Sequence, residues 1–577
     1  MKHGFVVVLI LLGLAVPRLV WSLELIVNIR GLDDTLKKHV QDYLDIYRAQ
    51  NNAELTLARL QRHHNKAEDQ IRTALQVYGY YKPVIHSELV EEQAKWIANY
   101  DIQAGSAVTI DKLDIQISGA GKDDTELHEL VNQFPLHTGQ AVDHTAYDQA
   151  RNLLLRAAIE QGYLDASMTR RELLIDLPHY HASVILHLET GKRYSFGPVT
   201  FYQDVMNDEF IARYIHFKEG DVYSPAKLLR LQRDLSDSGY YQSVEVRPQR
   251  DAAVVDHVPI EVRLTARKPR QWSFGLGYAT DTGARGSINH TRIVNKDGHK
   301  FDGRVLVSEK KDNFILAYTI PLQDPVTDQL GMSVRYVDEI TDSRDSQIAG
   351  TTVSHTTNWG DWQRVISLNY ERETYIIGEE PEETKRILFP ALSITKVVAD
   401  DRLNTRRGYR IYSEIRGANE NLFSDTNYGQ LRLGLKWVRG IGDDTRVLLR
   451  GDFGTTNVAY LDKLPASQRF FAGGDNSVRG YAYEELGPKN DLGEVIGGKQ
   501  LMVGSVELER RIAGNWSGAV FYDIGNAINS FGDELYAGAG FGVRWHSPVG
   551  PIRFDFAWAL DKTEDQFRLH VVIGPDL

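Results

Sequence analysis

The stretch Ile552-Arg553-Phe554-Asp555-Phe556-Ala557-Trp558-Ala559-Leu560 alternates throughout: every even residue is large and apolar, and the odd ones are an arginine, an aspartate and two alanines. A period of two places successive side chains on opposite faces of an extended chain, so the stretch reads as a strand with one apolar face. The pattern recurs upstream. Phe541, Val543 and Trp545 alternate with Gly538, Gly540, Gly542 and Arg544. Leu431, Leu433, Leu435 and Trp437 alternate with Arg432, Gly434 and Lys436, and Trp272, Phe274, Leu276 and Tyr278 with Ser273, Gly275 and Gly277. Sixteen such strands are predicted in residues 269–577, starting near 270, 285, 302, 312, 329, 348, 361, 387, 407, 425, 443, 499, 514, 536, 550 and 567.

A soluble sandwich alternates too. Three features favour lipid: many strands of about 10 residues, the length a tilted bilayer strand needs; aromatic residues near strand ends, as in interfacial girdles; and no helix-periodic segment to cover a second face. In lipid a sheet must close on itself to satisfy its backbone groups. The fold class expected here is a 16-stranded antiparallel transmembrane β-barrel. One connection breaks its rhythm. Residues 456–498 carry little strand signal, and they hold Phe470-Phe471-Ala472-Gly473-Gly474-Asp475-Asn476-Ser477-Val478-Arg479-Gly480-Tyr481, a mixture suited to a loop folded into something.

The preceding residues are a different material. Of 48 glycines, 13 lie in residues 1–270 and 35 in 271–577. Three units share a turn after an amphipathic helix: Gly79-Tyr80-Tyr81, Gly162-Tyr163-Leu164 and Gly239-Tyr240-Tyr241. Two unit openings also agree: Leu25, Val27, Ile29, Gly31 and Leu113, Ile115, Ile117, Gly119. Each unit reads as strand, helix, helix, strand, strand, an α+β module repeated three times. The Gly-Tyr pairs are assigned to folding, with glycine as the left-handed helix cap. Boundaries are expected at 23–105, 106–194, 195–268 and 269–577. Residues 1–22, with Lys2, His3, an apolar run over 4–16 and Ser22, read as a signal peptide for export.

Composition excludes several classes. After residue 22 no apolar run approaches 18 residues, which excludes a helical membrane bundle. A net charge of −12 opposes nucleic-acid binding. The absence of cysteine removes disulfides, thiolate catalysis and cysteine metal sites. Gly493 to Lys499 fits part of a phosphate loop, but Gln500 replaces the hydroxyl that would meet Mg²⁺. There is no Gly-x-Ser-x-Gly elbow, and His63-His64 and His179-x-His181 read as surface residues. No enzyme, metal or cofactor is expected, although a lipase with dispersed catalytic residues is a conceivable alternative.

Val478-Arg479-Gly480-Tyr481 resembles the signature of the sixth extracellular loop in the BamA-like superfamily of outer-membrane assembly and secretion barrels. The position of the loop, between predicted strands 11 and 12, is similar too. Ser505-Val506-Glu507-Leu508 and Phe521-Tyr522-Asp523-Ile524-Gly525 resemble the family's acidic strand motifs, and alternation turns Glu507 and Asp523 inward. The resemblance implies that the loop folds into the lumen and that Arg479 meets these two carboxylates. The repeats then resemble periplasmic POTRA domains. Three of them before such a barrel resemble the TamA branch, the outer-membrane subunits of the translocation and assembly module. By resemblance, the chain is an outer-membrane insertase for unfolded β-barrel clients such as autotransporters. It is surrounded by outer-membrane lipid, and a periplasm-spanning TamB-like partner docks on the first repeat. The first and last strands would form a lateral seam, with Trp272, Phe274 and Leu276 on one side and Phe567, Leu569, Val571 and Gly574 on the other. Pro575, which lacks a ladder donor, shortens it. The alternatives are a passive pore or anchoring scaffold, or a two-partner-secretion-type transporter.

Overall fold

A computed structural model of the chain describes residues 23–52, 55–93, 95–547 and 550–573. The expected signal segment 1–22 and seam residue Gly574 lie outside them.

The first module comprises β1 (Glu24–Arg30), α1 (Asp34–Tyr43), α2 (Asp45–Arg48), α3 (Leu57–Val77), β2 (Val84–Glu92) and β3 (Lys95–Gln103). The second comprises β4 (Thr109–Ser118), α4 (Thr125–Asn132), α5 (His144–Glu160), β5 (Ser167–Asp176) and β6 (His181–Glu189). The third comprises β7 (Ser195–Tyr202), α6 (Asp208–Ala212), α7 (Pro225–Asp237), β8 (Tyr241–Pro248) and β9 (His257–Ala266). All three sheets have their last strand in the middle, in the orders β1-β3-β2, β4-β6-β5 and β7-β9-β8. Asp33, Asp124 and Asp143 cap their helices by accepting backbone N–H bonds in the first turn, which satisfies donors the helix cannot. In the first core, Val40, Leu60, Ile71 and Leu75 pack with Leu25, Tyr100 and Ile102.

The three shared glycines all have positive φ (83°, 88° and 78° for Gly79, Gly162 and Gly239), a backbone state that resists a Cβ. The turns also join modules, which the sequence reading did not anticipate. Val108 N–H donates to the Gly79 carbonyl at 2.9 Å, and Tyr81 packs on the second module's core rather than the first's. Tyr194 N–H donates to the Gly162 carbonyl at 2.8 Å. The Tyr240 hydroxyl donates to the Gly298 carbonyl, in the first turn on the barrel's module side, at 2.6 Å.

The chain forms two compact units. One holds the described residues of 23–199, 217–228 and 248–260; the other holds those of 200–216, 229–247 and 261–573. The third module's residues are thus divided between them.

The barrel strands are β10 (Arg270–Ala279), β11 (Gly283–Ile293), β12 (Lys300–Ser308), β13 (Lys311–Pro321), β14 (Gln329–Ile340) and β15 (Arg344–Trp359). They continue as β16 (Trp362–Ile377), β17 (Glu383–Ala399), β18 (Arg407–Ala418), β19 (Tyr428–Ile441) and β20 (Thr445–Val458). The last five are β21 (Gln500–Ala513), β22 (Trp516–Ile528), β23 (Tyr536–Ser547), β24 (Gly550–Ala559) and β25 (Phe567–Ile573). Each pairs antiparallel with the next, and β10 and β25 stand at the two ends of the order. The sixteen-strand reading holds. The uniform length of about 10 residues does not: β17 has 17 residues and β25 has 7. The long strand β16 has a second use for its extracellular end, where Tyr375 and Ile377 pack with Ala466 of the long loop.

Burial decides between sandwich and membrane. Phe274, Leu276, Leu368, Val506 and Phe541 are exposed on the apolar face, while Glu371, Glu373, Glu507, Asp523 and Arg544 are buried on the polar face. Water would reverse that arrangement. A continuous apolar exterior over a polar interior is what a closed sheet in lipid requires.

Candidate functional site

Residues 459–499 connect β20 to β21 and fold inward. Phe470, Ala472, Val478, Tyr481 and Leu486 are buried against wall residues Leu501, Val503, Ala527 and Ala559. Two small bridges fix the loop's shape. Phe470 and Gly498 exchange backbone hydrogen bonds at 3.0 and 2.8 Å, and Ala472 and Leu486 exchange a pair at 2.9 Å. Gly498, in the phosphate-loop-like stretch, thus has its N–H engaged within the loop. Higher in the lumen, Ser467 N–H donates to Glu373, the Gln468 amide to Glu371, and Arg344 to both Glu339 and Glu484.

Arg479 is the centre of the seat. It is 5% exposed, and Asp523, on β22, is fully buried. Its Nε donates to Asp523 Oδ2 at 2.7 Å and its Nη2 to Asp523 Oδ1 at 3.0 Å, a two-pronged pairing only a guanidinium can make. Its backbone N–H also donates to Asp523 Oδ2, at 3.1 Å. Nη1 reaches Glu507 Oε2 on β21 at 2.8 Å and Asp555 Oδ2 on β24 at 3.0 Å. The guanidinium carbon stands 3.5 Å from the centre of the Phe521 ring.

The carboxylates have further cations. Arg544, on β23, donates to Glu507 Oε1 at 2.7 Å and lies 2.5 Å from Asp555 Oδ1. Arg450, on β20, donates to the Ser477 carbonyl at 2.5 Å and lies 3.9 Å from Asp523. Arg450, Arg479 and Arg544 thus face three carboxylates, and the six come from the loop and from β20 to β24, with Arg553 of β24 as a further positive charge near Glu507. Buried charges persist when paired and hydrogen-bonded. Of these six, the sequence reading singled out Arg479, Glu507 and Asp523. Asp555 was legible as an inward residue of the opening stretch, and Arg544 as the one charge in a row of glycines. Arg450 carried no signal.

Glycine makes the approach possible. Gly480 has φ +98°, and a Cβ there would sit 2.7 Å from Ala559 N. A Cβ on Gly538 would overlap the Arg479 carbonyl oxygen, a backbone atom that cannot rotate away. Gly538→Ala is therefore expected to cost about 1–3 kcal/mol of barrel stability, as overpacking does, and to speed protease cleavage within 459–499. An unchanged urea midpoint and cleavage rate would show that the loop seats elsewhere.

Of the other singled-out residues, Val478 and Tyr481 lie in the apolar cluster beside Arg479, with the Tyr481 hydroxyl 3.4 Å from Asp561 Oδ2. Trp272, Phe274 and Leu276, at 60, 74 and 96% exposure, stand on the outer face of β10; Phe567, Leu569 and Val571 lie on β25, where Phe567 and Leu569 are exposed. Val571 N–H donates to Thr280 Oγ1, just past β10, at 2.7 Å. His64 is bonded to the Tyr100 hydroxyl and His179 to Asp176.

Comparison with known proteins bears on this arrangement. Residues 294–576 match the Omp85 superfamily domain, residues 26–104 match the first POTRA domain of TamA, and residues 194–267 match a POTRA domain described as a surface antigen variable number repeat. The first of these matches spans 283 of the chain's 577 residues, so it is the barrel region that is similar to the Omp85 superfamily domain. Among curated relatives, the outer membrane protein assembly factor BamA of Nitratidesulfovibrio vulgaris is 22% identical over 62% of this chain and 47% of its own length. BamA of Neisseria meningitidis serogroup B is 23% identical over 67% and 56%. The chain thus spans about half the length of these relatives. The crystal structure of Haemophilus ducreyi BamA lacking POTRA domains 1–3 aligns with a TM-score of 0.63 at 19% identity, over 81% of this chain and 99% of that one, which shows a common fold. The Omp85 barrel resides in the outer membrane, with the N-terminal POTRA modules in the periplasm.

Proposed function

We propose that this chain is a TamA-type assembly subunit: it inserts β-barrel clients, autotransporters among them, by pairing their strands with a lateral seam between β10 and β25. The observation that carries this reading is the ladder order, which has these two strands at its ends with exposed apolar outer faces. An edge strand offers unpaired N–H and C=O groups, and an incoming strand gains main-chain hydrogen bonds whatever its side chains. The first module, matched to the first POTRA domain of TamA, would dock a periplasm-spanning TamB-like partner. A passive pore fits less well, because the long loop and its charge network occupy the lumen.

The test is reconstitution of the purified full-length chain in phosphatidylcholine liposomes with an unfolded autotransporter β-domain. Folded, protease-resistant client should accumulate well above the protein-free rate. Equal rates with an open-channel conductance would favour the pore. Deletion of residues 23–105 should abolish partner capture while leaving the barrel folded.

A further inference from the structure

A second buried cluster adjoins the Arg479 network in the same lumen, where His570 is the cross-strand partner of Asp555, and it joins three pieces of chain. Asp475 belongs to the in-folded loop, His570 to β25, and Asp281 to the turn that follows β10. Asp475 Oδ1 is 2.5 Å from His570 Nδ1, and Gly480 N–H donates to His570 Nε2 at 3.0 Å. Asp475 N–H donates to Asp281 Oδ2 at 2.7 Å. His570 is 1% exposed, Asp475 8% and Asp281 9%. Gly474 leaves the room Asp281 needs, since a Cβ there would stand 2.6 Å from Asp281 Oδ2. One loop segment, 474–480, therefore holds both strands that end the ladder.

A cation would suit these residue types. The imidazole argues otherwise. Because Nε2 faces a backbone donor, its proton sits on Nδ1 and goes to Asp475; a cation on Nδ1 would force a proton onto Nε2 against the Gly480 N–H.

We infer that Asp281, Asp475 and His570 form a clasp by which the seated loop holds the seam shut, so that loop seating and seam opening are one event. Its consequence for client assembly rests on the seam reading above. The clasp needs no client to be observed. Val571, next to His570, makes the cross-seam bond to Thr280, next to Asp281, so loosening either acid or the imidazole frees that contact.

The clasp also responds to pH. Burial first, and then the Asp475 carboxylate, push Asp281 up to about 6; its own bond from Asp475 N–H, His570 and Arg568 oppose this. An acid whose pKa rises on folding stabilises the folded arrangement fully below its unfolded value of about 3.9 and loses that contribution as pH rises through its folded one. Asp281 thus tightens the seam at pH 5 and loosens it at pH 7.5. Asp281→Asn isolates this charge: it keeps an acceptor for Asp475 N–H and removes the ionised form, with its burial penalty and its repulsion from Asp475, which together outweigh the attraction of His570 and Arg568.

The experiment is hydrogen exchange by mass spectrometry on the full chain in dimyristoylphosphatidylcholine nanodiscs. It compares seam peptides (270–281 and 567–573) with the far wall (362–399). His570→Ala should speed seam exchange about tenfold with the far wall unchanged, the mark of local opening. Asp281→Asn should slow seam exchange at pH 7.5 by about threefold or more, a direction general destabilisation cannot produce. The clasp is overturned if Asp281→Asn exchanges like the parent at pH 7.5, or if His570→Ala leaves the seam unchanged or loosens seam and wall alike. If the seam responds as expected but client insertion does not change, the clasp stands and the seam reading of function fails.

Discussion

Arg479→Ala should release the loop from the lumen and destabilise the barrel by about 3–5 kcal/mol, the usual cost of removing one partner from a buried ionic group. The size follows from what is stranded. Asp523 loses its two-pronged donor, Glu507 and Asp555 each lose one, and the three buried carboxylates lose the one arginine that touches all of them. The apolar part of the loop cannot compensate, because Val478 and Tyr481 are seated by the same segment. Urea unfolding in lipid should show a lower midpoint, and trypsin should reach Arg469, Lys489 and Lys499. Exchanging the charges, Arg479→Asp with Asp523→Arg, should not restore stability, because the carboxylate introduced on the loop would then stand between Glu507 and Asp555. A full rescue by the exchange would mean that Arg479 and Asp523 are an isolated pair rather than part of a shared network. An unchanged midpoint in Arg479→Ala would mean the network contributes nothing to the seat.

The barrel was legible because its rule is local. A strand between lipid and a packed lumen must alternate, and every predicted strand start lies within about four residues of the observed one. The repeat was legible for a similar reason, since a glycine must end each helix where the backbone turns left-handed. What could not be read is non-local. The Gly-Tyr turns look like helix caps in sequence; that each also receives the next module becomes visible only in three dimensions, where Gly79 meets Val108 and Gly162 meets Tyr194. His570 had no neighbour in sequence to mark it. It lies 95 positions from Asp475 and 289 from Asp281, and an imidazole in an alternating strand looks like any inward polar residue. Asp555 stands in the alternating stretch 552–560, but one carboxylate among inward residues gives no hint of which loop atom it meets.

Joining the two ends of the ladder should stop client insertion altogether. The chain has no cysteine, so Thr280→Cys with Val571→Cys creates a unique pair. The sites are adjacent across the seam, where Val571 N–H now meets Thr280 Oγ1 at 2.7 Å. A client strand can add to β10 or β25 only by taking the backbone groups along that edge, and a disulfide there fixes the two strands within about 4–7 Å of each other, too close to admit a strand that needs about 4.8 Å on each side. Oxidised double mutant in liposomes should therefore insert client no faster than lipid alone. Reductant should restore the rate of the single mutants, which excludes misfolding as the cause. Full activity of the crosslinked protein would remove the seam from the mechanism and leave the lumen or the bilayer around the barrel as the route. Partial activity with delayed onset would instead locate the requirement further along the seam, toward residues 270–276 and away from Thr280. The cleanest partition comes from combining the crosslink with His570→Ala: if the clasp acts only by holding the seam, the disulfide should cancel the mutation's effect on seam exchange. A loop that also stiffened the wall by another route would leave a residue of that effect in place.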